Sequence, residues 1–471
     1  MSLDEMENSE LMDFETLQEK RSDELTELLD KRDMKQLQRR MEEMNEFDVA
    51  EFLTQIEDNR MPMVFRLLSK ETAADVFANF EAPEQERIIN SITDSELAGI
   101  IEELYVDDAV DMMEEMPANV VKRVMRAATP ATRSLINQYL RYPENSAGSI
   151  MTSEFVDLKK YMNVRESIAR IRRIGEDKET IYVCFVISAD RKLEGIVTVK
   201  DLLLNDDDTI IEDLMDRNVI FASTTEDQES VSEKFSDYDL MALPVVDTEG
   251  RLVGIVTVDD IIDVMEQEAT EDFEIMAGIL PSDKPYSRTG PMDMWKKRIP
   301  WLMFLMLSAT FTSMILTSFE QILAVQAGLV AFIPMLMGTG GNSGAQASTA
   351  VIRSLSIGDT EPKDALRVIW KEWRVALLCG LSLAVVNFVK MLLVDSWLLH
   401  NVNVTVLVAA TVSLSIVFIV MFAKVVGAML PLMAEKLGLD PAVMANPLIS
   451  TVTDAVSLLI YIYIAKLILN I

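Results

Sequence analysis

The sequence has one histidine, His400, in 471 residues, and two cysteines, Cys184 and Cys379, far apart in the chain. A single imidazole excludes a histidine-ligated zinc or copper centre. Two distant cysteines cannot build a disulfide framework, which fits a reducing compartment. Basic side chains are scarce too: 43 Lys and Arg stand against 76 Asp and Glu, for a net charge of -33. That balance excludes a nucleic-acid binder, which needs clustered Lys and Arg against phosphates. No nucleophile–base pair stands out, so no enzyme is expected. Met1–Asp13 is acidic and has no apolar core, so no secretory leader is read there and the front is expected to stay in the cytosol.

The charge is unevenly placed. Residues 1–290 carry 66 acidic and 31 basic side chains, a net of -35, and residues 291–471 carry 10 and 12, a net of +2. The back half holds the apolar runs. Ile299–Phe319 and Gln321–Ile352 have no charge. Val375–Val394 contains Lys390, Val404–Leu432 contains Lys424, and Ala442–Ala465 contains Asp454. Each is long enough to cross a bilayer. The second is too long for one plain span and holds Pro334, Gly338, Gly340, Gly341 and Gly344, so it is predicted to be broken near its middle. Five spans put the termini on opposite sides. Lys296, Lys297 and Arg298, the Arg353–Arg374 loop and Lys436 all fall on one side, which places the amino terminus in the cytoplasm and the carboxyl terminus outside a plasma membrane.

The front half repeats itself twice. Asp48-Val-Ala-Glu-Phe-Leu, Thr72-Ala-Ala-Asp-Val-Phe, Glu96-Leu-Ala-Gly-Ile-Ile and Asn119-Val-Val-Lys-Arg-Val open units about 24 residues long, each with a second helical stretch. Paired short helices at a fixed period predict a small α-solenoid. Further on, Gly195-Ile-Val-Thr-Val-Lys-Asp-Leu-Leu recurs as Gly254-Ile-Val-Thr-Val-Asp-Asp-Ile-Ile. An apolar strand, a hairpin turn and an upstream helix precede each copy. This tandem β-α-β-β-α unit resembles the CBS domain. Glu266–Lys284 is then predicted to be an acidic helix leading to the membrane, ended by Pro281 and Pro285.

An acidic helical domain, a CBS pair, a linking helix and five spans, in this order, resemble the MgtE family of magnesium channels and transporters. Pro334-Met-Leu-Met-Gly-Thr-Gly-Gly-Asn-Ser-Gly-Ala-Gln346 is similar to that family's second-span stretch, and Gly438-Leu-Asp-Pro, Asn446-Pro-Leu and Thr453-Asp454 to its last loop and fifth span. The resemblance implies a multidomain chain: a polar tail over 1–30, an acidic helical domain over 31–143, tandem α/β CBS domains over 144–265, a linking helix and hinge over 266–297, and a five-helix all-α transmembrane domain over 298–471. It also implies a homodimer in a lipid bilayer that passes Mg2+ between subunits and is shut by Mg2+ bound among its cytoplasmic domains. An ion-coupled carrier and a non-conducting CBS sensor are the alternatives.

Asp454 is the first candidate residue. A carboxylate mid-span costs about 2.5–3.5 kcal/mol on insertion scales, so it is expected to have a use. Two copies about 6 Å apart would repel by about 2.8 kcal/mol at a dielectric of 20, and a hydrated divalent ion relieves that repulsion. The plainer reading pairs Asp454 with Lys390 or Lys424. Thr339, Asn342 and Gln346 need polar partners in lipid, which lining a pore or bonding a neighbouring helix would supply; Asn342, Thr339, Gly341 and Pro334 are, with Asp454, the expected pore lining. Simple helix packing competes as a reading of Gly338 and Gly344. Lys424 has no evident role; facing the pore, it would oppose cation flow.

A front with this much negative charge repels itself, and bound divalents would remove the repulsion. With one histidine available, any such site must use oxygen ligands, which points to Mg2+ or Ca2+. Asp107 and Asp111, and Glu268 and Asp272, are spaced i, i+4, so each pair shares a helix face. The family resemblance picks as Mg2+ ligands Asp454, Asp107, Asp111, Asp227, Glu229, Asp239, Asp260, Asp263, Glu268, Glu271, Asp272 and Asp440. Thr198-Val-Lys-Asp201 and Thr257-Val-Asp-Asp260 fit the Thr-x-x-Asp with which many CBS pairs hold a nucleotide ribose. ATP at Tyr182, Thr198, Lys200 and Asp201 therefore stands against an empty, structural CBS pair.

Overall fold

The computed structural model describes residues 14–282, 286, 289–320, 327–400, 403–444 and 446–470. Met1–Asp13, Lys284, Pro285 and Gln321 lie outside them. The chain divides into two compact units, Met1–Val264 and Met265–Ile471.

In the first unit the helical repeat is regular. Helices Glu46–Gln55, Lys70–Ala78, Asp94–Glu103 and Ala118–Ala127 alternate with Met61–Phe65, Ala82–Ser91, Val106–Glu115 and Pro130–Tyr139. The side chains of Asn45, Ser69 and Thr93, at equivalent places, accept a backbone N–H from the first turn of the first three. Capping residues at a constant spacing thus set the period of the solenoid. Val49, Phe52, Ala74, Phe77, Leu97, Ile101 and Val124 fill the core between the rows. The expected polar tail needs correction. Residues 14–30 form the helix Phe14–Asp30, and Leu25 and Leu29 are buried in the same core, because two leucines one turn apart are enough to dock the helix.

The CBS pair forms two three-stranded sheets of the same build. Strand β1 (Phe155–Leu158) runs parallel to β2 (Thr180–Ile187), which pairs antiparallel with β3 (Leu193–Thr198). Strands β4 (Ala222–Ser223), β5 (Ala242–Val246) and β6 (Leu252–Thr257) repeat the arrangement. The registers match as well: Cys184 opposes Val197 as Leu243 opposes Val256. Thr152 is bonded both ways to Ile255 of β6, and Asp216 both ways to Ile196 of β3, so each half is stitched to the sheet of the other. The last CBS helix and the linking helix are one element, Val258–Met276, rather than a separate helix over Glu266–Lys284. It stops where Gly278 takes a left-handed φ of 71° and Ile279 N–H turns back to the Glu274 carbonyl.

The second unit is built on long helices. Among the described residues four are long and apolar enough to cross a membrane: Pro291–Ser318, Pro362–Leu398, Val406–Lys436 and Pro441–Leu469. The remaining expected span is the helix Ile333–Ser356, of 24 residues, whose glycines, serines and threonines make it less apolar. It corrects an expectation. The helix is continuous through Gly338, Gly340, Gly341 and Gly344, with Pro334 in its first turn, and a 3-10 stretch over Ala327–Phe332 comes before it. A proline is tolerated there because that N–H has no helical partner. The helix Pro291–Ser318 buries none of its side chains. Apolar surface on that scale is stable only against lipid or another chain.

Candidate cation sites

Asp107 and Asp108 enter the first turn of Val106–Glu115, where negative charge suits the helix dipole. What surrounds them does not suit it. Asp107 is only 9% exposed, and its Oδ1 is buried without a hydrogen-bond partner. Burial, then Asp108, Asp260 and Glu179, hold its carboxyl well above the usual range. Burial, then Asp260, Asp75 and Asp259, push Asp108 up to about 6. Asp111 is reached by solvent one turn further on, yet crowding by protein, then Asp108, Glu114 and Asp260, raise it to about 7. Asp260 accepts the Thr257 hydroxyl at 2.6 Å, and burial still carries it to about 6. Glu179 has a buried, partnerless Oε2, and burial followed by Asp260, Asp259 and Asp108 lifts it to about 7.

The structure therefore brings Asp107, Asp111 and Asp260 together and adds Asp108 and Glu179, which the sequence reading missed. Asp108 directly follows Asp107 in the chain, but Glu179 belongs to no motif and was invisible in sequence. Among the described residues, no three carboxylates converge closely enough to cage a bare metal ion. The donor set fits a hydrated one: Mg2+ keeps several of its waters, and buried orphan oxygens are places for those waters to bond.

Asp263 is exposed further along the same helix. In the second unit Asp272 meets Asp440 and Glu268. Burial, then these two charges, raise the Asp272 carboxyl, and Arg353 opposes them. Asp440 also caps the following turn, accepting Ala442 N–H at 2.7 Å. Glu271 lies half-buried one residue before Asp272. Asp227 and Glu229 do not join Asp239. Asp227 caps the start of Gln228–Tyr238 and Asp239 ends it in a left-handed turn, about 18 Å away at 1.5 Å per residue. In the nucleotide candidate, Thr198 and Asp201 bond each other in a reciprocal cap, the hydroxyl at 2.5 Å from the carboxylate. Tyr182 is 66% exposed, and Lys200 is exposed.

The helix Asn446–Leu469 packs on Ile333–Ser356 through small residues. A Cβ on Gly340 would fall 2.7 Å from Ser457 Oγ, and one on Gly344 would fall 2.6 Å from Ile449 Cγ2. The packing reading therefore holds for Gly344, while Gly338 faces open space and Gly341 lies in ordinary contact with Ser450. Asp454 falls between Thr453 and Ser457 along this contact and is half-buried. Its expected lysine partners are engaged elsewhere: Lys390 with Asp395 at 3.0 Å, and Lys424 with Glu372 at 4.0 Å. Pro334, Gly338, Asn342 and Gln346 recur every fourth residue and form one exposed stripe, with half-buried Thr339 beside it.

Fold and sites together define a multi-pass membrane transport protein with an acidic, CBS-bearing soluble part. The MgtE family profile, a divalent cation transporter, matches residues 333–464, the MgtE intracellular N domain matches 44–145, and CBS domains match 147–207 and 211–267. The magnesium transporter MgtE of Thermus thermophilus is 38% identical over 96% of this chain and all of its own length. A crystal structure of the soluble part of a magnesium transporter aligns at a TM-score of 0.52 and 30% identity, over 54% of this chain and 99% of that one. The cytosolic domain of the Mg2+ channel MgtE in complex with ATP aligns at 0.49 and 35% identity, over 52% of this chain and 99% of that one. The chain belongs to the MgtE family of magnesium transporters, which are ion-transport proteins and not enzymes.

Proposed function

We propose that the chain is a homodimeric, Mg2+-selective channel of the plasma membrane, amino terminus inside and carboxyl terminus outside, closed by cytosolic Mg2+. The observation that carries the pore is Asp454: a half-buried carboxylate in a membrane helix, without an ion pair among the described residues, level with the polar stripe of Asn342 and Gln346. Amides facing lipid are costly, so a second copy covers the stripe. Two Asp454 carboxylates then face each other across the shared axis and hold a hydrated divalent ion, with Thr339, Gly341 and Pro334 along its path.

Closure uses the helix Val258–Met276, which carries Asp260 and Asp263 on one part and Glu268, Glu271 and Asp272 on the next. Mg2+ at Asp107, Asp111 and Asp260, and at Asp272 and Asp440, relieves repulsion and fixes this helix. Asp227, Glu229 and Asp239 serve separate ions. At low Mg2+ the carboxylates repel and the helix is released. The ion shifts the balance only by binding the closed form more tightly. A nucleotide such as ATP takes the Thr198–Asp201 box beside Tyr182 and Lys200.

An ion-coupled carrier is less favoured, because such carriers build their sites on discontinuous helices and Ile333–Ser356 is continuous. A non-conducting sensor has no use for Asp454. The test is Mg2+ flux into liposomes with the Mg2+ on the soluble-domain side varied, wild type beside Asp454→Ala. Flux that needs Asp454 and falls as that Mg2+ rises supports the reading. Flux indifferent to Asp454 moves the pore elsewhere, and none at any Mg2+ level from folded protein favours a sensor.

A further inference from the structure

We propose that Glu179, in the first CBS unit, is a further carboxylate of the cation site at Asp107 and Asp260, so that one hydrated Mg2+ ties the helical domain to both CBS units. The inference rests on the feedback reading above and adds to it a third anchoring element.

The backbone brings Glu179 there. Thr152 is bonded to Ile255, two residues before Thr257, whose hydroxyl holds Asp260. Glu154, two residues after Thr152, accepts the Glu179 N–H at 2.9 Å. The chain thus carries Glu154 and Glu179 to the start of the Asp260 helix. The two glutamates then differ. Glu154 is paired with Lys178, whereas Glu179 keeps a buried Oε2 with no partner. On the helical domain, Asp107 presents the matching orphan oxygen, nine-tenths buried. Among the described residues, no Lys or Arg pairs with Asp107, Asp108, Asp260 or Glu179. Buried carboxylates facing one another need a cation or protons.

The opposite pairing, in which the second CBS unit is stitched onto the sheet of the first, supplies a comparison. It has the same stitch, Asp216 with Ile196, and the same box, Thr198 with Asp201. By the matched registers, Asn218 stands where Glu154 does and Tyr238 where Glu179 does. The fold repeats and the acidic wall does not. The Thr257–Asp260 box is therefore lined for a cation and repels a polyphosphate, while its twin is not.

The test uses the full-length protein in lipid nanodiscs without nucleotide, following the thermal midpoint as Mg2+ is titrated. Glu179→Gln should raise the midpoint without Mg2+, because a repelling charge is gone. It should also raise the Mg2+ needed for half the stabilising effect by about tenfold, the scale of losing one outer contact to a bound metal. Glu154→Gln should leave that half-point unchanged. If Asp107→Asn shifts the half-point and Glu179→Gln does not, Glu179 is no part of the site although the site stands. If neither shifts it, the site reading itself falls. Should Gln prevent folding, Glu179→Asp keeps the charge on a shorter stem, and an unchanged half-point there overturns the proposal.

Discussion

Gly427 of the helix Val406–Lys436 lies so close to Gly344 of Ile333–Ser356 that a Cβ on Gly427 would sit 2.2 Å from the Gly344 carbonyl oxygen. A Cβ on Gly344, in turn, would meet Ile449 of the last helix at 2.6 Å. Two backbones in contact, with a third helix on the far side, fix the height of Asn342 against Asp454. No side chain can yield at the 2.2 Å contact, because both sides of it are main chain.

Gly427→Ala should therefore be among the more damaging single-methyl changes in the membrane unit. Overpacking of a tight contact costs about 1–3 kcal/mol, and here the helices must separate to relieve it. The expected result is a lower thermal midpoint in nanodiscs together with reduced Mg2+ flux. Gly99→Ala, in the helix Asp94–Glu103, where a Cβ meets only the flexible Lys70 side chain at 3.7 Å or more, is the control and should lower neither stability nor flux. Equal damage from the two would mean that the close approach does not organise the helices.

Lys424 is 5% exposed, and its partner Glu372 is on the preceding long helix, its side chain 14% exposed. Removing one member of a buried pair strands the other charge, at about 3–5 kcal/mol, while removing both is often close to neutral. Lys424→Met and Glu372→Gln should each destabilise the protein strongly, and the double variant should recover most of the loss. Additive losses in a double-mutant cycle would show that the two charges do not depend on each other. Cation flux in the folded double variant should match wild type, because a lysine held by a carboxylate does not oppose ions in the pore.

Much of this arrangement was legible in sequence, and the reason is periodicity. The solenoid repeat reflects caps at Asn45, Ser69 and Thr93, and the CBS repeat reflects matched strand registers. Local signals of that kind survive in one dimension. The glycine cluster misled for the same reason: glycine usually weakens a helix, and only the packing against Ile449 and Gly427 shows why these residues stay helical. The Phe14–Asp30 helix was missed because its polar composition hides two docking leucines. Glu179 and Glu372 were missed because each acquires its meaning from a residue far away in the chain, Asp260 or Asp107 in one case and Lys424 in the other.

The acidic cluster of the soluble unit makes stability depend on pH and on Mg2+ together. Asp108 and Asp260 rise to about 6, and Asp111 and Glu179 to about 7. Each folded value lies above the unfolded one, so each group favours the folded state in its protonated form. That contribution is complete below the unfolded carboxylate range and is lost as pH rises through 6 and 7. Without Mg2+, the thermal midpoint of the soluble unit should therefore fall between about pH 5 and pH 8. Mg2+ replaces the protons as neutralising charge and competes with them, so it should add little at the acid end and most at the alkaline end. Midpoints measured across that range with and without Mg2+ should diverge as pH rises. Asp107→Asn combined with Asp260→Asn should bring the two curves together by raising the Mg2+-free one. A gap of constant size from pH 5 to 8 would mean that the ion stabilises the protein somewhere other than among these carboxylates.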